Sequence, residues 1–425
     1  MRRRVAVTGL GAVTPVGNDV ASTWDALCHG RSGVAGITIF DASTYPVRIA
    51  AEVKGFDPER YVRDPRLRRH LSRAGGFGVA ATVQALDDAG VKAKDYAPED
   101  KGMSMGATMG RPGFQLLVDL SHARSMSENR ALIRQGPREV LTRDQNLPMT
   151  VMARLADCRG PMIGISTACT ASAHSVGEAY RAIQEGDARL MIAGGYDSLI
   201  SYLDVLGFGL LGALASGFED RPQKASRPFD RDRVGFVLGE GAVVVVLEDL
   251  ESARARGARV YAEVAGYGSS MNAYRMTDAP PDGGGTVIAV GAALEESGLG
   301  PGGVDYVAAH GTSTPGNDLC ETMALKRVFG ADASRLAVSS VKSMTGHLTA
   351  AAGGLNLLSA VLAIRDQVVP PTINYENPDP KLDLDYVPNR ARKTRVRAAM
   401  LNAFAFGGTN ASLVVREPEG AGRAS

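Results

Sequence analysis

Short apolar runs alternate along the chain with longer stretches in which apolar residues return every three or four positions. The runs "RRVAVTGLG" near the start, "ARLMIAGG" at 188–195, "VDYVAAHG" at 304–311 and "RLAVSS" at 335–340 close on Gly, Ser or Thr, as buried strands do. "ASAHSVGEAYRAIQEG", ending at Gly186, "LCETMALKRVF" at 319–329 and "AAGGLNLLSAVLAIRD" at 351–366 carry helical spacing. Alternation of this kind predicts an α/β protein. Near 250–260 the pattern changes: "GEGAVVVVLEDLESARARGARV" passes from a strand through a charged helix into "VYAEVAGYG". A boundary between two parts, 1–255 and 256–425, is expected there. The sequence holds no short-period repeat and no low-complexity tract, and the polar tail "REPEGAGRAS" is expected to fray.

Composition adds bounds. With 425 residues, 44% of them hydrophobic and 22% charged, the chain can bury a large core in two domains or one duplicated one. Lys+Arg 47 against Asp+Glu 46 leaves a net charge of +1, so no global field favours nucleic acid and partners must be selected locally. "MRRRVAVTGLGAVTP" starts basic, but Thr8, Gly9 and Gly11 break its apolar run, which reads as a first strand and not as a signal peptide. No stretch approaches the roughly 20 apolar residues of a membrane span. Cys28, Cys158, Cys169 and Cys320 form no C-x-x-C pair, so free thiols and a cytoplasmic location are expected.

The glycines of "GLGAVTPVG" resemble a dinucleotide fingerprint only in part. Thr14 stands at the third glycine, Pro15 follows, and a tight strand exit is the expected reading. Cys169 carries more chemistry. Small residues in "STACT" permit a sharp turn after "MIGI", and a helix follows, so the thiol would stand at a helix N-terminus. The unpaired N–H groups there favour a thiolate and could hold an oxyanion. A buried structural thiol is the plainer alternative. Of the six histidines, His29, His70 and His122 lie in charged or polar stretches, and His174 is placed for helix packing. His310 in "VAAHGTSTPGND" and His347 in "SSVKSMTGHLTAAAGG" follow strands in small-residue loops, where α/β active sites are built. Neither loop offers an H-x-x-x-H or a cysteine pair, so no metal is expected, although spacing alone leaves Asp318 and Glu321 open as ligands.

"STACTASAHSVGEA", "AHGTSTPGNDLCE", "KSMTGHLTAAAGG" and "NAFAFGGTNASLVV" stand in the order found in the β-ketoacyl-acyl-carrier-protein synthases, condensing enzymes of the thiolase superfamily. Nearly the whole chain resembles that family, most closely its elongating synthase II class. The resemblance implies a thiolase-like αβαβα sandwich of two similar halves, usually dimeric, with Cys169 in the first half and His310, Lys342 and His347 in the second. It implies decarboxylative condensation: Cys169 takes an acyl chain from a carrier thioester, and the two histidines hold the malonyl thioester carbonyl as carbon dioxide leaves. Lys342 resembles the lysine that orders the histidines, and Glu321 its acidic partner; a structural ion pair between the two is the alternative. Thr312 and Thr314 would bind the pantetheine arm. Phe406 resembles a gating residue on a loop given freedom by Gly407 and Gly408, with core packing as the alternative. No resident cofactor is implied, because substrates ride on the phosphopantetheine arm of acyl carrier protein.

Departures from the family pattern bear on substrate and partner. Arg143, Asp144, Gln145 and Asn146 are polar where an apolar dimer and pocket segment is expected, and Arg111-Pro112 follows Met109 at the expected pocket floor. Asn317 before Asp318 resembles polyketide ketosynthases. The expected partners are acyl carrier protein and a second chain, either a copy of this one or a homologous chain-length partner. Arg68, Arg69 and Arg138 are the candidate carrier-docking residues, with simple solvation of helical faces as the alternative.

Overall fold

The computed structural model describes residues 2–108, 118, 121 and 146–419. Among these residues the main sheet has ten strands: β1 Val5–Val13, β2 Lys101–Ala107, β3 Met162–Ile165, β4 Leu190–Ser198, β5 Glu240–Asp249, β6 Ala262–Met271, β7 Tyr306–Ala308, β8 Ala337–Ser339, β9 Ala398–Phe404 and β10 Thr409–Arg416. The spatial order is β8-β7-β9-β10-β6-β1-β5-β4-β2-β3. Counted outward from the centre, β1-β5-β4-β2-β3 repeats as β6-β10-β9-β7-β8, and the directions repeat with it. β2 runs parallel to β3 and β4 while β5 opposes β4 and β1. Likewise β7 runs parallel to β8 and β9, and β10 opposes β9 and β6. The two sections join where Val5–Val7 pair antiparallel with Ala262–Val264.

Eight helices matter for the argument: α1 Val20–Cys28, α2 Arg73–Ala89, α3 Asn146–Ala156, α4 Ala171–Glu185, α5 Tyr202–Leu210, α6 Gly284–Ser297, α7 Pro315–Phe329 and α8 Ala352–Asp366. α4 and α8 lie between the two sheet sections and are buried along almost their whole length. α2 and α3 cover the outer face of the first section, and α6 and α7 that of the second. β5 shows why its sequence has no polar alternation: Val243, Val245 and Leu247 enter the central layer, while Ala242, Val244 and Val246 enter the outer one. The result is the expected αβαβα sandwich, with its largest core around α4 and α8.

The glycine-rich start has a different reason from the expected one. Gly9 and Gly11 lie inside β1, not at its exit. A Cβ on Gly11 would fall 1.9 Å from the Ala81 carbonyl oxygen, and one on Gly9 would fall 2.1 Å from that of Ala85. These positions are glycine because α2 presses its backbone onto the strand. α1 opens later, N-capped by Asp19.

Candidate active site

The nucleophile candidate sits on a turn built from small residues. β3 ends at Ile165 and α4 begins at Ala171, with Ala168 in the left-handed region at φ 51°. Thr170 Oγ1 donates to the Thr167 carbonyl at 2.6 Å and shares a 3.0 Å hydrogen bond with Thr409 of β10, which ties the turn to the second section. A Cβ on Gly106 of β2 would lie 2.4 Å from the Ala171 backbone, so the start of α4 can sit directly against the sheet. Cys169 therefore stands at the N-terminus of a helix held from both sections. The expected acidic thiol does not follow. Burial pushes the Cys169 thiol up to about 12, the Lys342 ammonium pulls it down, and Asp197 pushes it up. Desolvation of the thiolate outweighs the helix end.

The two histidines arrive from adjacent parallel strands. β7 delivers His310 just beyond Ala308, and β8 leads through a short helix, Lys342–Thr345, to His347. Their ring centroids are 5.4 Å apart, edge to face. Phe404 flanks His310 and Phe236 flanks His347, each at 5.5 Å. Burial, reinforced by the Lys342 charge, lowers both imidazoles well below the usual histidine range, so both are neutral at neutral pH. The Thr349 N–H donates to His347 Nδ1 at 3.2 Å, which leaves the proton on Nε2.

Glu321 and Lys342 do not form the expected contact pair. Glu321 accepts from the backbone N–H of His310 at 2.9 Å and of Gly311 at 2.8 Å, and from Asn402 Nδ2 at 3.0 Å. Its carboxylate holds the His310 loop by the main chain. Lys342 Nζ is buried and has no hydrogen-bond partner among the described residues. Burial brings its pKa down to about 8, opposed by the charge of Glu321. An unpaired ammonium can act on the thiol only through its field. Lys342→Met should therefore slow iodoacetamide alkylation of Cys169 below about pH 8, where Lys342 carries its charge, since the thiolate loses a cation that favours it; an unchanged rate there would contradict that role.

A cavity of about 340 Å³ takes in Cys169, His310 and His347 together with Thr312, Thr314, Phe406 and Gly408. Asn317 also lines it. Thr312 and Thr314 share a 2.9 Å hydrogen bond. Gly407 stands at φ 88° and Gly408 at φ 84°, so the loop beside Phe406 uses the backbone freedom expected of it. Lys342 and Glu321 stand outside the lining. His174 packs as expected, with Nδ1 at 2.8 Å from Thr167 Oγ1 and Nε2 at 3.1 Å from Ser269 Oγ. Arg68 and Arg69 do not line the cavity; Arg68 donates to the Val62 carbonyl and pairs with Glu59 at 2.8 Å, while Arg69 is exposed. Met109, Arg111, Pro112, His122, Arg138, Arg143, Asp144 and Gln145 lie outside the described residues. Asn402, Phe404, Phe236 and Asp197 join the site without having been expected from the sequence. Asn402 did leave a signal, a polar residue inside an otherwise apolar strand, whereas Asp197 stands beside Ser198 at the polar end of its strand.

A duplicated α/β sandwich that sets one cysteine at a helix N-terminus in one cavity with two neutral histidines defines a thiolase-like condensing enzyme. The chain belongs to the β-ketoacyl synthase family: the "Beta-ketoacyl synthase, N-terminal domain" matches residues 2–253 and the "Beta-ketoacyl synthase, C-terminal domain" residues 261–376. It is 44% identical over 424 residues to 3-oxoacyl-[acyl-carrier-protein] synthase 2 of Vibrio cholerae serotype O1, covering 98% of this chain and 99% of that one. Two solved structures are similar. The ishigamide ketosynthase/chain length factor matches with TM-score 0.89 and 35% identity over 98% of this chain and 100% of its own. The AntDE:AntF complex, a type II PKS acyl-carrier protein in complex with its ketosynthase bound to the hexaketide, matches with TM-score 0.87 and 32% identity over 99% and 100%.

Proposed function

We propose that the chain elongates an acyl chain by two carbons, condensing acyl-Cys169 with malonyl-acyl carrier protein. The observation that carries this reading is the shared cavity, in which a thiol meets two neutral imidazoles, one with its proton assigned to Nε2. In the first half-reaction the Cys169 sulfur attacks the acyl thioester, the carrier sulfur leaves and takes up the proton, and the acyl chain stays on the enzyme. In the second, the bond from the malonyl α-carbon to its carboxylate breaks and carbon dioxide leaves. The electron pair passes to an enolate whose oxygen is held by His310 and His347. The α-carbon then attacks the Cys169 thioester, and the Cys169 thiolate is expelled and reprotonated. Thr312 and Thr314 hold the pantetheine arm, Phe406 gates the acyl side, and the reading needs no resident cofactor. Among the described residues no helix is long and apolar enough to cross a membrane. From the four unpaired cysteines we place the reaction in the cytoplasm.

Acyl carrier protein is the substrate-bearing partner, in keeping with the Vibrio 3-oxoacyl-[acyl-carrier-protein] synthase 2 and the AntDE:AntF carrier–ketosynthase complex. A second chain is expected on β3, which ends the sheet with Met162 48% exposed. Whether that chain is a copy or a chain-length partner decides between the fatty acid and type II polyketide readings. The second draws support from Asn317 in the cavity wall and from the ishigamide pair. Arg68, Arg69 and Arg138 are proposed to steer the carrier. Arg69→Glu should then raise the apparent KM for carrier-bound substrate and flatten its salt dependence, while leaving reaction with a free pantetheine thioester unchanged. Equal losses with both donors would remove Arg69 from docking. Intact mass analysis after mixing enzyme, acyl carrier and malonyl carrier tests the function itself. A 3-oxoacyl carrier two carbons longer supports condensation; acyl transfer without it reduces the protein to a transacylase.

A further inference from the structure

Asp197 is the next-to-last residue of β4, in the first section, and its side chain is buried. One oxygen, Oδ1, accepts from Thr108 Oγ1 at 2.5 Å and from the Ser198 N–H at 3.0 Å. The other, Oδ2, crosses to the second section and accepts from Thr349 Oγ1 at 2.5 Å and from the Ala350 N–H at 3.0 Å. Thr349 stands at φ 47°, a left-handed region that a β-branched residue keeps only where its surroundings impose it. The two bonds from Asp197 supply that constraint, and the N–H of the same Thr349 meets His347 Nδ1.

We propose that Asp197 is a positioning residue for decarboxylation: its carboxylate holds Thr349 in the turn that keeps the proton of His347 on Nε2. The inference rests on the condensing role proposed for His347. Its consequences for the two half-reactions have opposite signs. The charged groups acting on Cys169 are Lys342, which favours the thiolate, and Asp197, which opposes it. Asp197 thus works against the nucleophile while serving the decarboxylating histidine.

The test uses the full chain with Asp197→Asn and Thr349→Val, checked for folding by thermal melting. Three readouts are taken: iodoacetamide alkylation of Cys169 against pH, carbon dioxide release from malonyl carrier, and the ¹⁵N shifts of the His347 ring. Both substitutions should reduce carbon dioxide release by about 10- to 100-fold, the scale of a small misplacement of a catalytic group. Both should also turn the His347 spectrum from a single Nε2–H form into a mixture. Asp197→Asn should move alkylation to lower pH, and Thr349→Val, which keeps the carboxylate, should leave it in place. If Asp197→Asn fails to fold, Thr349→Val still decides the point through His347 and carbon dioxide release. Release within about twofold of the unaltered protein, or an unchanged His347 tautomer, overturns the proposal. So does equal loss of alkylation and decarboxylation, the mark of general disruption. If the unaltered protein releases no carbon dioxide from malonyl carrier, the condensing role itself fails, and the ring spectra still report whether Asp197 sets the tautomer.

Discussion

Cys169→Ala should give a folded protein that carries no acyl group and turns over at least about 10⁴-fold more slowly, as loss of a covalent nucleophile does. The fold contains its own control for the tolerance of alanine there. In the first section Ala168 at φ 51° is followed by Cys169, Thr170 and α4; in the second, Thr349 at φ 47° is followed by Ala350, Ala351 and α8. The second turn already holds alanine where the first holds the thiol. A melting temperature near that of the unaltered protein is therefore expected, and intact mass after exposure to acyl carrier should show no adduct. An adduct formed at the normal rate would end the nucleophile assignment. Cys169→Gln separates the two half-reactions further. Its amide carbonyl stands where the acyl thioester would be, so it should still release carbon dioxide from malonyl carrier while forming no new carbon–carbon bond.

His310→Ala and His347→Ala should each slow carbon dioxide release by about 10²–10³-fold, the usual loss when one donor to a developing oxyanion is removed. Loading of Cys169 from acyl carrier should be affected far less, because the sulfur and its turn belong to the other section. The pH dependence follows from the direction of the shifts. Both imidazoles lie well below the ordinary histidine value through burial, so they take up a proton only at a correspondingly lower pH. Carbon dioxide release should accordingly keep its rate as pH falls from about 7.5 to 6.5, where an unperturbed histidine would be protonating. A fall in rate centred on the ordinary histidine range would show that one imidazole is solvated. Near-normal release in either alanine variant would remove that histidine from the site.

The residues that do the chemistry were legible because each sits where a local pattern breaks. Cys169 interrupts a run of small residues between a strand and a helix, and His310 and His347 each follow a strand into a small-residue loop. α4 and α8 were readable from their apolar spacing, and Gly186 ends α4 in the left-handed conformation at φ 92°. α7 begins at Pro315, four residues before the expected Leu319. The proline at its start was the available signal. What the sequence hid was long-range. Gly9 and Gly11 are explained by the backbone of α2, which packs on them from some 70 positions along the chain, far beyond the roughly 11–18-residue windows in which local patterns are read. The engagement of Glu321 with the His310 backbone, in place of a pair with Lys342, depends on Asn402 arriving from β9. The thiol's pKa departs from the sequence expectation for a similar reason: a helix end is visible in sequence, but the desolvation that outweighs it is a property of the assembled core.

The most direct test is a single-turnover chase. Cys169 is acylated, the donor removed, malonyl carrier added, and acyl-enzyme, carbon dioxide and 3-oxoacyl carrier followed together. Acyl groups are expected to leave Cys169 in step with release of one carbon dioxide and formation of one 3-oxoacyl carrier each. Acyl groups that persist on Cys169, or leave as free acid while malonyl carrier is untouched, would contradict the condensing role.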